Sequence, residues 1–180
     1  MLKISGGTFR SRVIETPEQN TVPTKNRVRE AMMSALQNDI PGAIVLDLFA
    51  GSGALGIETI SRGAKKCYFV DAGKEQAAII QKNLKTLKIE NAEFLGVDYL
   101  EALKRLKRDG VKFDVVFLDP PYAEKEFYKV STAFLFENDL LKEDAAVVVE
   151  FDGEQPDPFS MFSRQRVYNY GRTHVILMRK

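Results

Sequence analysis

A chain of 180 residues with 44% hydrophobic and 28% charged side chains has the composition of a soluble globular protein and is long enough to bury a sizeable core. No apolar stretch reaches the ~18 residues of a membrane helix, and the N-terminus lacks the apolar block of a signal peptide. The single cysteine, Cys67, has no partner for an internal disulfide, which suits a reducing compartment. We therefore expect a cytoplasmic protein with one domain over residues 1–180, of which residues 1–23 form an appended arm, and with no membrane partner and no metal.

The net charge of +1 conceals an uneven distribution along the chain. Residues 1–40 hold six Lys or Arg side chains against four acids, and residues 161–180 hold five against none. The segment between these ends is therefore acidic. Basic ends around an acidic centre suit a polyanion held at the flanks, although a solvated charged surface explains the pattern equally well.

The first 40 residues predict an arm and a helix. Residues 2–5 and 9–14 have the pattern of a small β-hairpin that turns at Gly6-Gly7. A polar segment with two prolines follows, from Glu15 to Pro23, and predicts a loop. Thr24 can then cap a helix that runs to about Asn38.

From residue 44 onward, apolar runs alternate with segments of helical spacing. Such alternation predicts parallel β-α-β units, that is, an α/β sheet covered on both faces. The tail differs, since two β-like runs joined at Tyr170-Gly171 predict an antiparallel hairpin that closes the sheet. The predicted strands are 44–48, 67–71, 92–97, 113–118, 145–151, 164–169 and 173–178, and the predicted helices are 54–62, 74–87, 99–108 and about 125–136.

A glycine-rich turn follows the first of these strands. Gly51-Ser52-Gly53-Ala54-Leu55-Gly56 matches the dinucleotide fingerprint G-x-G-x-x-G, and Asp71 stands twenty residues later, where a ribose-binding acid belongs. However, Asp47 ends the strand, and its carboxylate would face a bound pyrophosphate. Like charges in a partly desolvated site are unfavourable. S-adenosylmethionine carries an ammonium and a sulfonium and no phosphate, so Asp47 favours this cofactor.

Two further acids end the next two strands. Asp71 is placed to accept hydrogen bonds from both ribose hydroxyls, and Asp98 from the adenine amino group. Each has an alternative interpretation as a helix N-cap. Three acids at the carboxyl ends of successive strands nevertheless indicate the ligand edge of such a sheet.

The strand 113–118 runs directly into Asp119-Pro120-Pro121-Tyr122. Two prolines stiffen the backbone and contribute no N–H, which leaves the Asp119 carboxylate and the Pro120 carbonyl as acceptors. An exocyclic amino group of a base has two N–H donors for such an edge, and holding both aims the nitrogen lone pair at an electrophilic methyl. Tyr122 can stack on a flipped base. The alternative is a rigid turn with an N-capping acid.

These residues carry a family resemblance. The segment 47–56 followed by Asp119-Pro120-Pro121-Tyr122 resembles class I S-adenosylmethionine-dependent methyltransferases that modify exocyclic amino groups of nucleobases. The wider pattern resembles the bacterial small-subunit (16S) ribosomal RNA guanine-N2 methyltransferases over nearly the whole chain. The motifs that carry this closer resemblance are residues 4–7, 10–12, 23–24, 27–30, 46–56, 61–64, 118–122 and 170–171.

The resemblance implies a Rossmann-like sheet of seven mostly parallel strands whose last pair is antiparallel. It implies S-adenosyl-L-methionine as cofactor, and ribosomal RNA or the small ribosomal subunit as partner. The target base would contact the catalytic residues Asp119, Pro120, Pro121 and Tyr122. The cofactor site is expected to include Asp47, Phe49, Ala50, Gly51, Ser52, Gly53, Leu55, Asp71, Ala72, Asp98 and Tyr99. The basic N-terminal segment would hold RNA, with Arg10, Arg12, Lys25 and Arg27 as its contacts.

Three other functions are compatible with the same residues. DNA adenine-N6 methylation uses the same amino-group chemistry, although such enzymes more often need an added target-recognition domain. An NAD(P)-dependent oxidoreductase rests on G-x-G-x-x-G alone. A non-catalytic RNA-binding module would keep the basic flanks without using Asp119.

Overall fold

The computed structural model describes residues 1–17, 23–121 and 124–180, and for residues 23–25 the backbone only. A two-stranded antiparallel sheet in the arm precedes a seven-stranded sheet with helices on both faces. The strands are β1 Leu2–Lys3, β2 Val13–Ile14, β3 Ile44–Leu48, β4 Lys66–Val70, β5 Ala92–Leu95, β6 Phe113–Leu118, β7 Leu141–Asp152, β8 Arg164–Tyr170 and β9 Thr173–Arg179. The helices are α1 Pro23–Ala35, α2 Ala54–Ser61, α3 Lys74–Leu87, α4 Tyr99–Arg108 and α5 Lys125–Glu137.

The large sheet has the strand order β5-β4-β3-β6-β7-β9-β8. The first five of these strands run parallel, and β9 and β8 are antiparallel additions at one end. The predicted fold class is confirmed, including the closing hairpin and the small hairpin of the arm. Because β4, β3 and β6 all end at one edge, the residues that follow them meet there, as in other open α/β sheets.

Each face of the sheet has its own core. On one face α4 and α5 pack through Leu103 and Tyr128, and on the other α1, α2 and α3 pack through Met33, Ile57 and Ile80. The central strands β3 and β6 are buried on both sides, which explains why they read as continuous apolar runs without alternation.

Several predicted boundaries were wrong. The second arm strand is two residues long because the preceding residues form turns, with Ser11 at a φ of 66°. Helix α1 begins at Pro23, so Thr24 lies inside it and is not the N-cap, and α1 ends at Ala35, not at Asn38. The loop predicted over 15–23 falls partly outside the described residues. Strand β7 begins at Leu141, before a register irregularity against β6.

The arm is held against α2 by the buried carboxylate of Glu58. This side chain is fully buried and accepts hydrogen bonds from Ser5 N at 2.6 Å, Arg29 Nε at 3.3 Å and Arg62 Nε at 3.4 Å. Arg29 also donates to the Lys3 carbonyl at 3.0 Å. Charged groups are stable in such an interior only when they are paired and hydrogen-bonded, so this network fixes the arm beside the helix of the glycine-rich turn.

Ser61, at the end of α2, makes a second attachment. Its carbonyl accepts from Thr8 N at 2.7 Å and its hydroxyl from Phe9 N at 2.9 Å. Gly7 has a φ of 76°, and a Cβ there would lie 1.8 Å from the Ser61 carbonyl oxygen. Only glycine permits this approach.

Candidate cofactor and target-base site

A cavity of about 550 Å³ opens at the carboxyl edge of the parallel strands. Its volume lies in the usual range for small-molecule sites. A smaller cavity of about 110 Å³ lies on the arm side of the same loop, and Phe49, Gly51 and Asp119 line both. The two cavities therefore meet beside the end of β6.

Asp71 follows β4, lines the large cavity and links two backbone segments there. Its two carboxylate oxygens accept hydrogen bonds from Gly51 N at 2.9 Å and from Gly73 N at 2.8 Å. A carboxylate oxygen has more than one lone pair, so both oxygens retain acceptor capacity toward a ligand hydroxyl pair. The side chain thus ties the glycine-rich turn to the start of α3 and presents an acceptor to the cavity.

Asp98 caps a helix, as one of its two predicted roles requires, and its place in the cavity lining leaves the other role, as a ligand acceptor, a prediction. It is the N-cap of α4, accepting from Leu100 N at 2.9 Å, and it also lines the large cavity. Capping uses one oxygen and leaves the other available to a donor in the cavity.

Asp47 lies deeper than the sequence suggested. It is 2% exposed, lines the smaller cavity and not the larger one, and accepts a hydrogen bond from Gly56 N at 2.9 Å. Burial raises its pKa to about 7, an effect that the Gly56 N–H opposes and the nearby Asp71 charge reinforces. A carboxyl with this pKa changes charge near neutral pH, so a cation in the smaller cavity would favour its ionised form.

Three aromatic rings form the apolar wall of the large cavity. The Phe49 ring stacks on Phe127 with centroids 5.7 Å apart, and Tyr99 lies 5.3 Å from Phe49 and 4.8 Å from Phe127. Phe49 has a φ of 71°, a conformation that is uncommon outside glycine. Such strain concentrates at ligand sites, and this wall suits a flat aromatic ligand.

Asp119, Pro120 and Pro121 follow β6 and line the large cavity, as Asp71 does. Asp119 also lines the smaller cavity. Tyr122, the fourth residue of this predicted motif, lies outside the described residues. The acceptor edge of Asp119 and Pro120 therefore stands where the two cavities join.

The structure distributes the other predicted residues between the two cavities. Ala72 joins Asp71 on the large one, whereas Ala50, Ser52 and Leu55 line the small one. Gly53 lines neither: it is buried at the start of α2 with a φ of 78°. Residues of the large cavity that the sequence did not predict are Val70, Gly73, Gln76, Val97 and Phe127. Gly73 and Gln76 closely follow Asp71 at the end of β4, and this position in the sequence could have predicted them. Phe127 lies at the site because α5 packs there, which the sequence does not indicate.

The predicted RNA contacts lie on the arm and α1. Arg10, Arg12 and Arg27 are exposed, and the side chain of Lys25 is outside the described residues. Arg29, two residues further along α1, is 6% exposed and bound to Glu58, so it anchors the arm.

The sequence and fold of this chain are similar to those of known proteins. Residues 2–179 match the family described as Conserved hypothetical protein 95. The Ribosomal RNA small subunit methyltransferase D of Haemophilus influenzae is 37% identical over 158 residues, which cover 86% of this chain and 81% of that protein. The solved structure of the Escherichia coli protein yhhF superposes with a TM-score of 0.87 at 31% identity, covering 99% of this chain and 97% of the other.

More distant structures share the fold. The SAM-dependent methyltransferase from Agrobacterium tumefaciens superposes with a TM-score of 0.66 at 16% identity, over 88% of this chain and 63% of that one. Within the described residues, no helix is both long and apolar enough to cross a membrane. The chain belongs to the Conserved hypothetical protein 95 family and has the fold of the class I methyltransferases, as its motifs predicted.

Proposed function

We propose that this protein is a cytoplasmic S-adenosyl-L-methionine-dependent methyltransferase that methylates the exocyclic N2 amino group of a guanine in small-subunit ribosomal RNA. The single observation that supports the proposal is the meeting of two cavities at Asp119, because the large cavity suits an adenosine and the small one has the acid Asp47 in its lining, which suits a cationic methionine end. The Haemophilus influenzae relative, named as a small-subunit ribosomal RNA methyltransferase, supports the substrate class.

The residues present fit this cofactor. Asp71 offers acceptors for the ribose hydroxyls, Asp98 an acceptor for the adenine amino group, and Phe49 with Phe127 an apolar surface for the base. Asp47 in the smaller cavity is placed to favour a cationic sulfonium and ammonium. When bound, S-adenosylmethionine supplies an electrophilic methyl group.

The chain's own contribution to the reaction is positioning. The Asp119 carboxylate and the Pro120 carbonyl accept the two N–H groups of the target amine, which directs its lone pair toward the cofactor side of the junction. The new C–N bond would form as the bond between the methyl carbon and the cofactor sulfur breaks, which would leave S-adenosylhomocysteine. Asp119 would stabilise the positive charge that develops on the nitrogen, and the nitrogen would then release one proton to solvent.

Two titrations and one transfer assay test the proposal. S-adenosylhomocysteine should bind the purified protein, whereas NAD(P) should not. With methyl-labelled cofactor, small subunits from a strain lacking the enzyme should accept label on guanine, and duplex DNA should accept none. Binding of NAD(P) instead of S-adenosylhomocysteine would support the oxidoreductase alternative, and label on adenine of DNA the adenine-N6 alternative.

A further inference from the structure

A second basic and aromatic surface lies outside the arm, where the last hairpin meets α1. We define the hairpin-edge surface by Arg166, Tyr168 and Tyr170 of β8 and by Arg172 in the turn after it. Tyr170 and Gly171 line an open hollow of about 600 Å³ together with Arg27, Glu30, Ala31 and Ser34 of α1. Both tyrosines are partly exposed, and β8 is an edge strand of the sheet.

The arginines of this surface differ from the rest of the basic tail. Arg164 pairs with Asp144, Arg179 with Asp39 and Lys180 with Asp139, so these three charges are partly neutralised. Within the described part of the chain, Arg166 and Arg172 form no ion pair and are exposed. Arg166 instead lies over the Tyr168 ring, 5.3 Å from its centroid. The positive charge of the tail is thus concentrated on this surface.

The hairpin-edge surface faces the same edge of the sheet as the active site. Leu118, just before Asp119, pairs with Val149 of β7; the next residue, Glu150, pairs with Val175 of β9, which pairs with Tyr168. Three strand spacings of ~4.8 Å separate β6 from β8, or about 14 Å. Tyr170 and the turn after it lie further toward the ligand edge. A nucleic-acid strand that enters the active site can therefore reach this surface with nucleotides near its target base.

The aromatic and basic side chains of the hairpin-edge surface suit an unpaired RNA strand. Unpaired bases stack on aromatic and arginine side chains, and cations beside them neutralise the phosphates. Side chains two residues apart share a face, so Arg166, Tyr168 and Tyr170 lie on one face of β8. Both tyrosines pack partly against the core beside α1 and keep part of their surface exposed. Glu30 is the acidic residue among the described lining of the hollow, and Arg27 is the basic one. Arg172, the residue after Gly171 of the lining, adds a second positive charge.

We propose that the hairpin-edge surface is a second RNA contact, which binds single-stranded nucleotides flanking the target guanine by stacking on Tyr168 and Tyr170 and by phosphate contacts to Arg166 and Arg172. The proposal rests on the proposed function in one respect, namely that the substrate is RNA.

The test compares two double variants with a matched control. Arg166→Gln/Arg172→Gln removes the two free charges, and Tyr168→Leu/Tyr170→Leu removes the rings while keeping apolar bulk. Arg164→Gln/Arg108→Gln removes the same number of charges at ion-paired positions, one at the far end of β8 and one on α4. Melting temperature and affinity for S-adenosylhomocysteine, measured for every variant, show that the fold and the cofactor site are intact.

Binding to protein-free 16S ribosomal RNA and methylation of small subunits are then measured. The arginine variant should flatten the slope of log affinity against log salt by ~1.4, which corresponds to two single-strand phosphates. The tyrosine variant should weaken RNA binding by about tenfold or more at an almost unchanged salt slope. Both should raise KM for the subunit and leave kcat nearly unchanged, and the control should behave as wild type.

The outcomes separate this proposal from the proposed function. Wild-type protein that transfers no methyl group to small subunits contradicts the proposed function itself. An active wild type with variants that match it in RNA affinity and salt slope overturns the second contact. Variants that bind assembled subunits poorly but protein-free RNA normally would assign the surface to a ribosomal protein and would also overturn it.

Discussion

The backbone N–H of Gly56 donates a hydrogen bond of 2.9 Å to the buried carboxylate of Asp47. This bond ties the end of β3 to the first turn of α2 and partly offsets the cost of burying the acid. Burial still dominates and raises the Asp47 pKa to about 7. The site therefore contains an acid whose charge changes near neutral pH.

Asp47 predicts a pH-dependent preference between cofactor and product. Because its folded pKa is raised to about 7, the side chain is mostly neutral below that pH and ionised above it. Affinity for S-adenosylmethionine relative to S-adenosylhomocysteine should rise between about pH 6 and 8, since the two differ in the sulfonium charge. Calorimetric titration of both ligands across this range measures the ratio.

Asp47→Asn is the control for this measurement. The amide keeps an oxygen to accept from Gly56 N but has no charge to gain. Its affinity ratio should be flat with pH and close to the low-pH value of the wild type. A wild-type ratio that is equally flat would mean that the sulfonium does not sense Asp47.

Asp71→Asn should weaken cofactor binding more than it weakens the fold. The amide retains one acceptor oxygen, but both carboxylate oxygens of Asp71 accept from glycine N–H groups. In either orientation the NH₂ group therefore faces one of these donors, and it also removes an acceptor from the ribose side. We expect affinity for S-adenosylhomocysteine to fall by about tenfold or more. Asp98→Asn is the comparison, because asparagine is an equally good N-cap, and a larger loss there than at Asp71 would contradict the assignment of the ribose to Asp71.

Asp119→Ala should separate chemistry from binding. Alanine has no side-chain acceptor for the N–H groups of the target amine, so turnover should fall by ~10²–10³. Affinity for S-adenosylhomocysteine should stay within a factor of about three. Single-turnover methylation and equilibrium binding on the same preparation give both values. Equal losses in turnover and cofactor affinity would show that Asp119 holds the cofactor or the fold.

Glu58→Gln should loosen the arm. The buried carboxylate faces two arginines and Ser5 N, and removing its charge leaves Arg29 buried without a counter-ion. We expect the stability to fall by ~3–5 kcal/mol and residues 1–17 to exchange amide hydrogens faster. Glu93→Gln is the matched control, since its pair with Lys66 is exposed and contributes at most about 1 kcal/mol. Indistinguishable melting curves for the two variants would rule out this anchoring role.

Arg10 and Arg12 should contribute to RNA affinity through charge alone. Both are exposed on the arm, and their replacement by glutamine should reduce the salt slope of RNA binding by ~1.4 without altering cofactor affinity. Filter binding at several salt concentrations measures the slope. An unchanged slope would place the RNA path away from the arm.

Most of the fold could be predicted from the sequence because local patterns of apolar and turn residues determine its strands, helices and turns. Apolar runs such as 44–48 mark strands that are buried on both faces, and the turn at Tyr170-Gly171 marks the closing hairpin. The errors arose where non-local geometry decides. Strand β7 starts early because Leu141 pairs with Phe113 across a register irregularity, and no local pattern encodes that pairing.

The site residues were predictable only where they directly follow strands of the parallel sheet. Gly51, Asp71 and Asp119 follow strands in order, so their meeting follows from parallel topology. Phe127 reaches the cavity because α5 folds back onto the strained Phe49 loop, and the burial of Asp47 depends on α2. Likewise, the ion pairs of Arg164 and Arg179 could not be predicted from the sequence, because their acidic partners are distant along the chain.

The atom that receives the methyl group is the most direct test of an acceptor edge at Asp119 and Pro120. Small subunits from a strain lacking the enzyme are incubated with the wild-type protein and labelled cofactor, and the RNA is digested to nucleosides for mass spectrometry. The account predicts N2-methylguanosine at one position of the ribosomal RNA. Label on a ring nitrogen of guanine, on a ribose hydroxyl or on a ribosomal protein would contradict it.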